Sequence, residues 1–190
     1  MRKASNFTTL MIFVLACLSA SAADFKPLMA AVRSTWPGQN RIGIVCDYTN
    51  NKEQVDQLAK LAGPDASIGV VDCKNPRQAA QAALTLIRYK PNVMVLLPSD
   101  AVFGEGRFNA TSVIRYLAIH GIPSVGTGPK AIIQGALFAV GEPSKGELLV
   151  NSKLRGSITV ILPTKADLVR EMSRTASLRE EPQVTVLGFP

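Results

Sequence analysis

Asp47, Tyr48 and Asn50 follow one apolar run, Ser99 and Asp100 follow another, and Gly126-Thr127-Gly128 closes a third. Residues of these types offer carboxylates, hydroxyls and amides, the groups that hold a polar solute through hydrogen bonds and ion pairs. Asp47 or Asp100 could also act as a general acid or base, but that chemistry needs a second positioned group, and none stands at readable spacing. The one histidine, His120, precedes Gly121 at the end of an apolar-periodic segment, where a basic side chain complements a helix C-terminus. No serine occupies a G-x-S-x-G elbow, and Cys46 would need His120 brought to it by the fold. One histidine with Cys46 and Cys73, which lack paired spacing, does not make a zinc site. GTGPK at 126–130 and GEG at 104–106 lack the rest of a phosphate loop or dinucleotide fingerprint. Neither a cofactor nor a metal is expected.

These polar groups can converge only if the runs before them are neighbouring strands. RIGIVCDY (41–48), SIGVVD (67–72), VMVLL (93–97), IPSVG (122–126) and ALFAV (136–140) are the candidate strands. Between them lie helical patterns. Asn51 can cap a helix through Leu61, with Val55, Leu58 and Ala62 inward and Gly63 stopping it. Asn75-Pro76 opens a second helix that runs to about Arg88, and Asn109–His120 carries Val113, Ile114 and Leu117 on one face. GTGPKAIIQG reads as a short helical segment, and residues 24–36 as an amphipathic helix before the first strand. Near-continuous apolar strands alternating with helices predict an α/β fold, a mostly parallel sheet sandwiched by helices. In such a sheet, ligands lie outside the carboxyl ends of the strands, where the three polar exits should emerge together. Each exit residue can equally cap the helix that follows it.

Past Gly141, ELLV, SITVIL and QVTVLGF are strand-like, and Thr164 can cap a helix to about Ala176. Their place in a sheet does not follow from local pattern.

The first residues have another character. Arg2 and Lys3, the apolar run from Leu10 to Leu18 and the small residues SASAA predict a secretory signal over 1–23, and hence an exported, periplasmic chain. The alternative is a lipoprotein signal anchoring the chain at Cys17. Without Arg2 and Lys3, the 21 basic residues fall to 19 against 14 acidic ones, about +5 net. They are scattered and not interleaved with aromatics, so no nucleic acid partner is expected. Aligning RIGIVCD with SIGVVDC sets Cys46 beside Asp72 and Cys73 beside Asp47. On parallel neighbours the two thiols would then point to opposite faces, which favours two small buried residues over a disulfide.

RIGIVCDYTNNKEQVDQLAKLA, PNVMVLLPSD, IHGIPSVGTGPKAIIQGALFAVGE and LLVNSKLRGSITVILP, in that order, resemble one lobe of the periplasmic substrate-binding proteins of ABC transporters. The group that the segments resemble is that of aromatic amino-acid and uncharacterised substrate binders with the type I periplasmic-binding fold. The resemblance covers roughly residues 28–163, within a lobe at 24–163, and leaves 164–190 as a C-terminal helix and tail packed on the same domain. It implies that Asp47, Tyr48, Asn50, Ser99, Asp100 and Thr127 face a ligand. Members of that family close two lobes around a solute, whereas only a single lobe fits this length. The implied function is an exported, non-enzymatic, substrate-binding-like protein. It would recognise a small-molecule solute or a partner at the strand edge, in company with an ABC permease, a second-lobe partner or a second copy as a homodimer. The alternatives are a structural or regulatory interaction protein that kept the fold and lost the solute, and a small enzyme using Asp100 or Asp47.

Overall fold

The computed structural model describes residues 24–38, 41–141, 147–154, 161–173 and 183–189. The leader reading at 1–23 and most of SITVIL lie outside them. The chain opens with α1 (Lys26–Thr35), where Pro27 occupies the first turn and Leu28, Met29 and Val32 are buried. Then follow β1 (Arg41–Cys46), α2 (Tyr48–Ala62), β2 (Ser67–Asp72), a short turn of 3-10 helix (Pro76–Gln78), α3 (Ala79–Tyr89) and β3 (Val93–Val95). Next come α4 (Phe108–Ile119), β4 (Ser124–Gly126), α5 (Pro129–Gln134), β5 (Phe138–Val140), β6 (Leu148–Val150), α6 (Lys165–Ser173) and β7 (Val184–Leu187).

The seven strands of the described residues join one sheet in the order β6-β5-β4-β3-β1-β2-β7, and the predicted α/β class is the observed one. Every pairing is parallel except β5 with β6. From β1 the chain steps outward to β2, returns past β1 to β3, and then continues the other way to β4 and β5. Right-handed crossovers therefore put α2 on one face and α3, α4 and α5 on the other. Inward residues of each strand alternate between two cores. Ile42, Ile44, Cys46, Ile68 and Val70 pack under α1, α2 and α6, while Val45, Val71, Cys73, Met94 and Leu96 pack under α3, α4 and α5.

Two glycines let α3 settle close to the sheet. Gly43 and Gly69 are partners in the β1–β2 register. A Cβ on Gly43 would lie 2.8 Å from Leu86 Cδ1, and one on Gly69 would lie 2.6 Å from Tyr89 Cε1. The Tyr89 hydroxyl donates to Ser67 Oγ at 3.0 Å, and Arg41 lies over the Tyr89 ring.

Several boundaries differ from the sequence expectation. The cap of α2 is Asp47, not Asn51; the helix starts one turn earlier because the Asp47 carboxylate accepts the Asn50 N–H at 3.4 Å. Pairing in β3, β4 and β5 stops after three residues. Leu96 and Leu97 stay buried beyond the end of β3, and the Leu96 N–H still donates to the Val125 carbonyl of β4 at 2.9 Å. The aligned register holds: Cys46 pairs with Asp72, and the two free thiols lie in opposite cores. At the far end, β6 turns antiparallel on one edge and β7 lies parallel to β2 on the other.

Candidate functional site

The strand order reverses between β1 and β3, and there the polar exits are drawn together. Asp100 is the centre of this junction. It is only 2% exposed. One oxygen accepts the backbone N–H of Asp47 at 2.9 Å and the Asn51 side-chain amide at 2.7 Å. The other accepts the N–H groups of Val102, at 3.0 Å, and Phe103. Asp72, at the end of β2, accepts the N–H of Tyr48 at 3.1 Å. Two successive amides at the start of α2 are thus held by carboxylates from the strands on either side of β1. These groups would otherwise be unpaired donors of the helix terminus.

This arrangement differs from a ligand-facing Asp100: its oxygens are turned inward onto four N–H groups of the chain. Asp47 is occupied as the cap of α2, and its second oxygen accepts Asn50 Nδ2 at 2.7 Å. Tyr48 is half-buried and packs against the α1–α2 core. Ser99 is exposed, its hydroxyl oxygen accepting Gln54 Nε2 at 2.6 Å. Thr127 is half-buried and donates both its N–H and its hydroxyl to Glu105 Oε1, the latter at 2.9 Å. The six residues share one edge of the sheet, but of them only Ser99 lines the open cavity beside it.

That cavity, about 680 Å³, lies where the β3–α4 loop meets α5. Glu105, Gly106, Arg107, Phe108, Thr111, Lys130, Ile133 and Gln134 form its wall with Pro98 and Ser99. Its floor is tightly built. Gly104 approaches the Asp100 carbonyl so closely that a Cβ there would sit 2.3 Å from it. Gln134, buried, accepts the Gly106 N–H at 2.9 Å and donates to the Arg107 carbonyl at 2.6 Å. Glu105 spans the two loops, binding Thr127 and the Gly128 N–H; burial pushes its carboxyl above the usual range, against the opposing pull of those bonds and of Lys130. The rim is apolar and exposed: Phe108 at 84% and Ile133 at 85%. A residue signal for this wall exists, because Phe108 stands off the buried stripe of α4 (Ala110, Val113, Ile114, Leu117).

Neither His120 nor Cys46 lines this cavity. His120 follows α4 at the opposite edge of the sheet, with Nδ1 2.9 Å from the Tyr116 carbonyl. The Cys46 thiol is pushed far up by burial and then by Asp100, Asp72 and Asp47, which favours the unreactive neutral thiol.

No family model matches the chain, and no curated protein matches it. Among solved structures, one described as an ABC domain in complex with L-Trp from Streptococcus pneumonia aligns at a TM-score of 0.48 and 14% identity. The alignment covers 86% of this chain and 50% of that one, so the chain spans about half the length of the structure it matches.

Proposed function

We propose that this chain is a non-enzymatic binding module that takes a small solute in the cavity between the β3–α4 loop and α5. The observation that carries the reading is the wall itself. Phe108 and Ile133 stand 84% and 85% exposed beside a polar floor fixed by Gln134 and Glu105. Apolar side chains held on a rigid floor at a strand edge are what a ligand or a facing surface covers. One wall leaves a ligand half in water. The resemblance to one lobe of a substrate-binding protein suggests that a second-lobe partner, a second copy or a permease supplies the other wall. The signal-like residues 1–23 support export, with anchoring at Cys17 as the alternative. The exposed Phe108 and Ile133 also suit a protein partner alone, the reading in which the fold serves interaction and has lost its solute.

Thermal unfolding of the purified chain against amino acids, nucleosides, sugars, organic acids and inorganic anions tests the proposal. A solute at roughly 100 times its dissociation constant adds about 2.7 kcal/mol of stability. Thr111→Arg, which fills the cavity from α4, should abolish that shift and keep the circular dichroism spectrum. Absence of a shift with every solute class would leave only the interaction protein.

A further inference from the structure

Within the solute-binding reading, on which this inference rests, we infer that the cavity takes a small anion with an apolar body and discriminates against zwitterionic amino acids and amines. The chemistry of the wall is one-sided. Arg107 and Lys130 are its two cations, both exposed. Neither charged side-chain group makes a hydrogen bond or ion pair among the described residues, although Glu105 attracts Lys130 through space.

Among the described residues, Glu105 is the single carboxylate of the wall, and it is occupied. Its oxygens bind the Thr127 N–H and hydroxyl and the Gly128 N–H. The Gln134 amide is likewise used at both ends. Ser99 accepts from Gln54, which leaves its own proton to donate. Two cations against one carboxylate leave the wall formally at +1, with no unengaged carboxylate to receive an ammonium group.

The neighbouring exits sharpen the choice. Asp47, Asp72 and Asp100 crowd the start of α2, so its amides are satisfied and its surroundings are acidic. An anion is repelled there and favoured beside Lys130 and Arg107. Phe108 and Ile133 on the same rim supply apolar cover for the rest of the molecule. A carboxylate and a phosphate monoester share this chemistry, and Arg107 can meet either with two parallel donors.

Titration calorimetry of the purified chain at low salt decides the matter. The probes are 3-phenylpropionate, phenyl phosphate, 3-phenylpropionamide, phenethylammonium and L-phenylalanine. The carboxylate or the phosphate, whichever the wall fits, should bind at least roughly tenfold more tightly than the amide, the amine and the amino acid. A preference between the two names the source. Lys130→Met and Arg107→Met should each erase that margin while leaving the unfolding midpoint within about 2 °C, since both side chains are exposed. Equal affinity for amide and acid, or tighter binding of L-phenylalanine, overturns the inference while the solute-binding reading stands. So does binding of some other solute class with none of these probes. Silence of the whole solute screen removes both.

Discussion

Asp100 Oδ2 accepts the backbone N–H of Asp47 at 2.9 Å, across the gap between β1 and β3. With Asn51, Val102 and Phe103 as its other donors, this one carboxylate ties α2 to the loop leaving β3. A strand edge that would otherwise open as a crevice is stitched together there.

Asp100→Ala should therefore be costly to the fold. It leaves buried N–H groups without partners, each worth about 1–3 kcal/mol. A loss of about 3 kcal/mol or more in urea unfolding is expected. Lys52→Ala and Lys74→Ala, which break exposed contacts to Asp56 and Thr49, should leave the urea midpoint nearly unmoved. An Asp100→Ala midpoint equal to theirs would contradict the stitched junction.

Gly69→Ala should force Tyr89 out of its place over β2, at about 1–3 kcal/mol. The second variant Tyr89→Ala costs stability by itself but removes the obstructing ring. In the double variant the Gly69→Ala penalty should shrink, which a double-mutant cycle in denaturant reads directly.

Glu105 predicts a pH dependence. Its folded carboxyl titrates above the ordinary 4.5 because burial dominates over the bonds from Thr127 and Gly128 and the pull of Lys130. For a raised folded value, the stability contribution is complete below the unfolded value and fades as pH climbs through the folded one. Between pH 4 and 7 the difference in unfolding midpoint, Glu105→Gln minus wild type, should rise with pH. A flat difference would mean that the carboxyl titrates normally.

Cys46 and Cys73 should remain free thiols in oxidising buffer, because they sit in opposite cores. Mass spectrometry of the folded chain without reductant should find no internal bridge. Alkylation of Cys46 should become fast only in denaturant, and the unfolding midpoint should not move with dithiothreitol.

Much of the scaffold is local in origin. SIGVVD is a strand because β-branched residues flank a glycine between turn signals, and β2 spans the same residues, Ser67–Asp72. The shared I-G-x-V pattern aligned β1 with β2, since the side-chain period of two ties register to the facing of each residue. The α2 boundary was harder to read. Asn51 has a capping side chain, but Asp100, far away in sequence, draws it inward, and Asp47 caps the helix.

The cavity was the least legible part. Its wall joins Ser99, Glu105 and Phe108 from the β3–α4 side to Lys130, Ile133 and Gln134 of α5, and only the order β3-β4 in the sheet sets the two side by side. From the residues alone came the α/β class, the chief strands and the polar exits, because periodicity and turn chemistry act over a few positions. Tertiary structure decided the reversal between β1 and β3, the inward turn of Asp100 and the release of Phe108 and Ile133 to the surface. Those depend on which distant donors reach a carboxylate first and on which apolar faces find a helix to cover them, neither of which a local pattern encodes.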